Sequence, residues 1–197
     1  MFKNFLFLIF ITLSFSALAQ KTVDGKQTEE HNGLVYVKGE MVPFTGLAIS
    51  WFSPGIKQIE TPYLNGKQNG LETAWYPNGK IMMHITYRDG EFNGPYRFYY
   101  LEGGLEYEKI YSGGMMNGLS THYYHDGKKE YEGSYTDCRE TGTWTYYYPN
   151  GQKQKEGIFK SGFEEAVWEF WDETGKLIKD VTYHSGEIVA ENKINKS

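Results

Sequence analysis

Runs rich in Tyr, Trp, Phe and Thr alternate with short turns along most of this chain. The turns carry Asn-Gly or Asp-Gly, as at Asn78-Gly79, Asp126-Gly127 and Asn150-Gly151. Asn, Asp and Gly tolerate the positive φ angles that tight turns between antiparallel strands require. No stretch after residue 33 has the apolar period that is typical of a helix. The pattern therefore predicts an all-β protein made of β-hairpins.

The hairpins recur with a period of 24 residues. We number each repeat from a position 0, which falls at Gly46, Gly70, Gly94, Gly118, Gly142, Ala166 and Ala190. Position 9 is glycine in all six repeats, position 5 is always Trp or Tyr, and position 17 is always Tyr or Phe. No insertion or deletion breaks this register, so one structural unit is copied six times.

Two strands per repeat predict an extended, single-layer, twisted antiparallel β-meander built from six tandem hairpin repeats. We expect the repeats to start at residues 46, 70, 94, 118, 142 and 166, within an array over residues 33–190 whose first part, 33–45, forms a cap. If the Asn-Gly turn is a two-residue loop, position 5 pairs with position 12, position 3 with 14, and position 2 with 15.

The segment Gly142-Thr-Trp-Thr-Tyr-Tyr-Tyr-Pro-Asn-Gly151, followed by Phe159-Lys-Ser-Gly162, resembles the MORN-repeat variant of bacteria. The opening Gly33-Leu-Val-Tyr36 with Pro43-Phe-Thr-Gly46 is similar to the start of such proteins. The resemblance implies an extended twisted sheet that serves as an interaction surface, and some bacterial members are antitoxin or immunity proteins. This chain departs from the pattern where glycine is expected, at Cys138, Ala166 and Ala190, so we expect the last two repeats to be less regular.

Strand alternation divides the side chains between two faces. One face, which we call the ladder face, carries positions 2, 4, 6, 11, 13, 15 and 17, and Trp144 lies across from Gly157 on it. Its column of rings at position 17 is Tyr63, Tyr87, Tyr111, Tyr135, Phe159 and Tyr183. A single sheet has no second layer to bury a core, so we expect these stacked rings to supply most of the stability.

The opposite face, which we call the ring face, carries positions 3, 5, 12 and 14. Its position-5 residues form the ring row: Trp51, Trp75, Tyr99, Tyr123, Tyr147 and Trp171. Seven interleaved carboxylates form a predicted acidic stripe: Glu60, Glu106, Glu108, Glu130, Glu132, Glu156 and Asp180. Rings flanked by carboxylates indicate a binding surface for a basic protein partner, with aromatic anchors and acidic steering. The same pattern is also compatible with a solvated face whose rings are only scaffolding.

The N-terminus has the layout of a secretory signal: Lys3, an apolar run over 5–15, and Ala17-Leu18-Ala19 before the predicted cleavage at Gln20. We therefore interpret 1–19 as a signal peptide, 20–32 as a mobile leader and 191–197 as a polar tail. The protein is expected to be exported: periplasmic, outer-membrane-associated or secreted. Its net charge of −5 argues against nucleic acid and electrostatic membrane binding, and no membrane insertion is expected after cleavage.

The sequence offers no constellation for catalysis, so we expect no enzyme, no cofactor and no metal. His122 and His125 are three residues apart, which sends them to opposite faces or places His125 in a turn. The carboxylates recur in five of the six repeats, whereas catalysis needs one special pair in a cleft. We interpret the chain as an exported interaction module. Its expected partner is a protein: a toxin that it neutralises, as an immunity protein does, or another envelope protein. The alternative is a protein that binds an envelope polysaccharide on the ring row.

Overall fold

The computed structural model describes residues 21–194. Its strands are β1 (Thr22–Asp24), β2 (Thr28–His31), β3 (Leu34–Val37), β4 (Gly46–Ser53), β5 (Ile56–Leu64), β6 (Lys67–Gln68), β7 (Gly70–Trp75), β8 (Ile81–Arg88), β9 (Glu91–Tyr99), β10 (Leu105–Ser112), β11 (Met115–Tyr123), β12 (Lys129–Thr136), β13 (Arg139–Tyr147), β14 (Lys153–Lys160), β15 (Phe163–Trp171), β16 (Leu177–His184) and β17 (Glu187–Lys193). One short 3-10 helix, Gly25–Gln27, follows β1. No helix among these residues is long and apolar enough to cross a membrane.

Within the described range, fifteen strands form one open sheet in the order β1-β4-β5-β7 and then β8 to β17 in sequence, with β6 paired to β5. Each strand from β7 onward pairs antiparallel with the next, because a short turn returns the chain beside itself. The predicted fold class, an extended antiparallel meander of tandem hairpins, is confirmed.

The Asn-Gly turn differs from the predicted two-residue loop. The amide of Tyr76 donates to the carbonyl of Lys80 at 2.8 Å, and the amide of Gly79 donates to the carbonyl of Tyr76 at 2.9 Å. Three residues therefore form the loop, and Gly79 adopts a φ of +82° at its end. This is a three-residue hairpin loop with a glycine bulge. The equivalent bonds recur at Tyr124 and at Tyr148.

The extra loop residue changes the register near the turn. Position 5 pairs with position 11 rather than 12, as in Trp75 with Ile81 and Tyr147 with Lys153. The register then shifts by one residue, so the predicted pairs of position 3 with 14 and 2 with 15 are correct, as in Thr73 with His84. A bulge exchanges the faces of the residues that follow it. Position 11 therefore joins the ring face, and position 12 joins the ladder face.

The second turn of each repeat is a two-residue loop with positive φ at both residues. Asn65 and Gly66 have φ of +49° and +80°, and Asp137 and Cys138 have +49° and +63°. Cys138 thus adopts the left-handed conformation of the glycine that it replaces. Ala166 does the same at φ +60°, and its pairing with Tyr183 matches that of Gly142 with Phe159. The expectation of lower regularity is therefore wrong at Ala166. It is correct for the last strand, β17, because Thr182 pairs with Ala190, one residue beyond the register that Ile158 and Glu165 show one repeat earlier.

Most of the buried apolar side chains lie on the ladder face: Ala48, Ala74, Ile85, Trp144, Trp168 and Val181. Trp144 and Gly157 are paired residues, as predicted, but the indole of Trp144 covers Gly133 on the preceding strand. Trp168 covers Gly157 in the same way. Each indole therefore covers the backbone of a glycine and buries apolar surface, as a second layer would.

The two ends of the array differ from the expected boundaries. Within the predicted mobile leader, β1 adds to the sheet in parallel with β4, and β2 forms a hairpin with β3 of the predicted cap. Phe44 of the cap is buried against Tyr63, with ring centroids 5.8 Å apart. At the other end β17 runs to Lys193, into the predicted tail. The predicted signal peptide, 1–19, lies outside the described residues.

Candidate interaction surface

The ring row is built as one half-buried ring per repeat on strands β4, β7, β9, β11, β13 and β15. One strand lies between each ring and the next, so neighbouring rings are roughly 9.6 Å apart. The tyrosine at position 6 fixes this row, because its hydroxyl donates to the carbonyl of the next repeat's ring residue. Tyr76 bonds to Tyr99 at 2.7 Å and Tyr124 to Tyr147 at 2.6 Å. The predicted row of six rings is therefore a real feature of one face.

The carboxylates of position 14 lie on the ring face as predicted: Glu60, Glu108, Glu132, Glu156 and Asp180. Most of them are held by a basic side chain. The Lys129 ammonium lies 2.6 Å from Glu132, and Lys153 lies 2.6 Å from Glu156. Lys57 pairs with Glu60 and Arg97 with Glu108, while Asp180 accepts a bond from Asn192 at 2.9 Å. The predicted acidic stripe therefore carries little net negative charge, because the bulge brings position-11 lysines onto this face, where they pair with the carboxylates.

Glu106 and Glu130 do not belong to the ring face at all. They occupy position 12, which the bulge moves to the ladder face, and there they flank His122. Its Nδ1 lies 2.7 Å from Glu130, out of line for a hydrogen bond, and its Nε2 lies 4.0 Å from Glu106. The imidazole lies nearly parallel to Tyr131, at 11°. The predicted set of binding residues is therefore divided between two faces.

His125 and His84 each contact a tyrosine of a neighbouring strand or turn. His125 is in the turn after β11 and stacks on Tyr100 with centroids 3.8 Å apart, which confirms one of its two predicted positions. His84 replaces a carboxylate at position 14 and contacts the Tyr99 hydroxyl at 3.2 Å. Burial lowers the pKa of His84, and the charge of Arg97 lowers it further. No group of three His, Cys, Asp or Glu residues in the described chain is placed to hold a metal ion.

The pKa values of Glu72, at position 2, and Glu156, at position 14, are shifted in opposite directions. Burial raises the pKa of Glu72, which is 4% exposed, although hydrogen bonds from Thr61 and Gln68 oppose the rise. Burial also acts to raise the pKa of Glu156, but hydrogen bonds from Lys153 and Thr145 outweigh it and hold the pKa below its usual value. Glu72 therefore favours folding when it is protonated, and Glu156 when it is ionised.

We expect Glu72→Gln to raise the urea midpoint at neutral pH. The stability that protonated Glu72 gives is lost as the pH rises through its folded pKa, and glutamine avoids that loss. The gain should vanish near pH 3. Glu156→Gln is the matched control and should lower the midpoint at neutral pH, with its effect also vanishing as the pH falls. Denaturation of both variants at pH 3 and pH 7 measures this, and a loss of stability in Glu72→Gln at neutral pH would contradict it.

A second row of apolar side chains runs along the ring face beside the rings. Positions 1 and 16 pair across each hairpin, and one member of each pair is a branched aliphatic residue. We call these six residues the aliphatic row: Leu47, Leu71, Ile110, Leu119, Ile158 and Val167. Four of them are highly exposed for their type, at 53% for Leu71, 51% for Leu119, 44% for Ile158 and 50% for Val167.

The sequence interpretation missed the aliphatic row. Its signal is present but divided, because the aliphatic residue occupies position 1 in some repeats, as in Leu119, and position 16 in others, as in Ile158. Neither column alone recurs in all six repeats, whereas the pair of columns does. The ring face thus presents two parallel apolar rows, separated by ion pairs with little net charge. Exposed apolar surface of this kind is typical of an interaction site.

Comparison with known proteins agrees with this architecture. Residues 68–89, 116–137, 140–161 and 164–185 match the family model of the MORN repeat variant. Residues 92–113, between the first two matched segments, form strands β9 and β10 of the same meander. No curated protein matches the chain. The matched segments keep the 24-residue spacing, and the chain is a tandem repeat protein in which these four segments are similar to the MORN repeat variant.

Proposed function

We propose that this protein is an exported, non-enzymatic interaction module that binds a protein partner through its ring face. The observation that carries the proposal is the aliphatic row, whose members Leu71, Leu119 and Val167 are half exposed beside the ring row. Exposed large apolar side chains gain free energy when a partner covers them. The MORN-variant repeats support a repeat-based interaction surface in general.

The aliphatic row favours a protein over a polysaccharide. Protein interfaces have an apolar core that buries aliphatic and aromatic side chains together. A sugar presents hydroxyl groups over most of its surface, so it stacks on rings but gains little from leucine or valine. The partly exposed tryptophans fit either partner, whereas Leu119 at 51% exposed fits only the first.

The ion pairs on the ring face change the expected role of charge. The chain keeps a net charge of −5, which still favours a basic partner at long range. At the surface itself, Lys129 and Lys153 neutralise the carboxylates beside the rings. Contact is therefore dominated by apolar burial, and affinity should depend on salt less than the predicted acidic stripe would require.

The N-terminal segment supports a location outside the cytoplasm. Lys3, the apolar run over 5–15 and Ala17-Leu18-Ala19 are features of a cleaved secretory signal. We place the protein in the periplasm, at the outer membrane or outside the cell. Neutralising a toxin there is one form that this interaction function would take.

We expect Leu119→Asp to weaken partner binding by at least about tenfold, because the new carboxylate would be buried unpaired in an apolar interface. The partner is first captured from envelope extract with the unmodified chain, identified by mass spectrometry and purified. Its affinity for each variant is then measured by calorimetry.

Leu101→Asp is the matched control, since Leu101 is 49% exposed but lies in a turn outside the aliphatic row. It should bind like the unmodified chain. Equal affinity of the two variants would contradict the proposal, and so would a captured ligand that is a polysaccharide.

A further inference from the structure

The two tryptophans at the start of the ring row enclose a cleft. Its volume is about 540 Å³, and Trp51 and Trp75 form its walls. Ile56 and Lys57 of β5 also line it, as do Pro77 and Asn78 of the Asn-Gly turn. The lining is mostly apolar, and a volume of this size holds a few residues of an extended chain rather than a folded domain.

The hydrogen-bonding groups of the two tryptophans are donors. Neither indole N–H, of Trp51 or of Trp75, donates to another residue in the described part of the chain. The ladder face differs, because Trp144 donates to the Ser134 carbonyl at 3.2 Å and Trp168 to that of Ile158 at 3.3 Å. The Lys57 ammonium, which is paired with Glu60, lies 5.3 Å from the Trp75 ring centre.

These donors and the apolar rings determine which kind of ligand fits the cleft. An N–H group that a ligand covers needs an acceptor, so a ligand in the cleft must bring carbonyl or similar oxygens. Two flat apolar walls in addition favour a ligand with rigid apolar rings. A polyproline II segment has both properties, because its backbone carbonyls have no internal hydrogen bonds and its pyrrolidine rings are apolar and preformed.

The spacing of the walls matches the same occupant. Trp51 is on β4 and Trp75 on β7, with β5 between them, so the rings are two strand spacings apart, or roughly 9.6 Å. A polyproline II helix has three residues per turn and a rise of about 3.1 Å, so equivalent residues recur about every 9.3 Å. A segment that runs across the strands therefore presents one face to both tryptophans.

We infer that the Trp51–Trp75 cleft is a docking site for a proline-rich, polyproline II segment of the protein partner. The inference rests on the proposed function and names the partner's chemistry at one end of the ring row. Proline rings one turn apart pack on the two indoles, and the carbonyls accept from the indole N–H groups. Aromatic grooves recognise such segments because little conformational entropy is lost on binding.

The rest of the ring row explains why the site is at this end. At the next position the ring of Tyr99 is engaged by His84, at 5.5 Å between centroids and 84° between planes. Further along, the Tyr147 hydroxyl donates to Glu132 at 2.8 Å. Adjacent strands are also rotated by about 20–25°, so a straight segment stays aligned with neighbouring rings only. The site is thus a short one of about four to six residues, as two turns of polyproline II require.

A decaproline peptide with blocked ends tests the inference, because it adopts polyproline II and carries no charge. It is titrated into the full chain, with tryptophan fluorescence and calorimetry as readouts. We expect saturable binding that Trp75→Ala weakens by about tenfold or more, the effect of removing a central aromatic anchor. Trp171→Ala is the matched control, because it removes the last ring of the same row, and it should leave decaproline binding unchanged.

Three results would overturn the inference: no decaproline binding, equal binding to Trp75→Ala, or binding of a glycine-serine peptide of equal length with the same affinity. Binding of a neutral cello-oligosaccharide in place of decaproline would also overturn it and assign the cleft to sugars. These outcomes leave the proposed function separately testable. If decaproline fails while Leu119→Asp still abolishes partner binding, the cleft assignment is wrong and the ring face remains the interface.

Discussion

Replacement of Trp168 by alanine should lower the free energy of unfolding by about 3–5 kcal/mol. The indole is 1% exposed, and it meets the Phe159 ring edge-on at 5.1 Å and the Tyr183 ring at 6.1 Å. Its removal leaves the backbone at Gly157 uncovered and frees the carbonyl of Ile158 from its bond. A single-layer sheet has no second layer to close over the gap. Urea denaturation followed by circular dichroism measures the loss.

Trp171→Ala provides the control on the same strand. Trp171 is three residues away, half buried, and on the ring face. Its replacement should cost much less stability than that of Trp168, because its ring covers no bare backbone. Comparable losses in the two variants would mean that the two faces share the stabilisation, which would contradict the assignment of the ladder face as the core.

Replacement of Gly157 by alanine should destabilise the protein by about 1–3 kcal/mol, the usual effect of overpacking. Gly157 has ordinary backbone angles, so the effect comes from contact alone. A methyl group at this position would fall on the indole of Trp168, well inside van der Waals contact. The ring must therefore tilt away from the sheet, and its contacts with Phe159 weaken. The urea midpoint of the variant measures the loss.

The two substitutions should be strongly non-additive. In the Trp168→Ala background no ring lies over Gly157, so alanine at that position should cost little or even restore stability. A double-mutant cycle gives this interaction energy directly. Additive losses would show that Gly157 is required for another reason than to accommodate the indole.

The period of 24 was sufficient to predict the fold, because each strand pairs with its sequence neighbour and alternation then places the side chains. The Asn-Gly turn was mispredicted, although the sequence contains the residue that determines its length. A two-residue Asn78-Gly79 loop would need an amide hydrogen on Pro77 to close the hairpin, and proline has none. In the observed three-residue loop, Pro77 takes the second position of a type I turn, where its fixed φ is favourable.

That single extra residue decides which part of the candidate site could be predicted. The ring row and the position-14 carboxylates were predicted on the correct face. The position-14 carboxylates lie beyond the bulge, away from the turn, and the ring residues are on the strand opposite the bulge. Glu106 and Glu130 follow the bulge and were placed on the wrong face. Lys153 was also misplaced, and with it the charge balance of the ring face. A shift of one residue is enough because the side-chain period of a strand is two.

The central claim is that a partner covers the aliphatic row and the ring row together. Carbene footprinting of the chain, free and bound to its purified partner, tests it most directly, because the label reports solvent access residue by residue. We predict protection of Leu71, Leu119 and Val167, with unchanged labelling of Glu106 and Glu130 on the opposite face. Protection around Glu106 and Glu130 that leaves the aliphatic row fully labelled would contradict the claim.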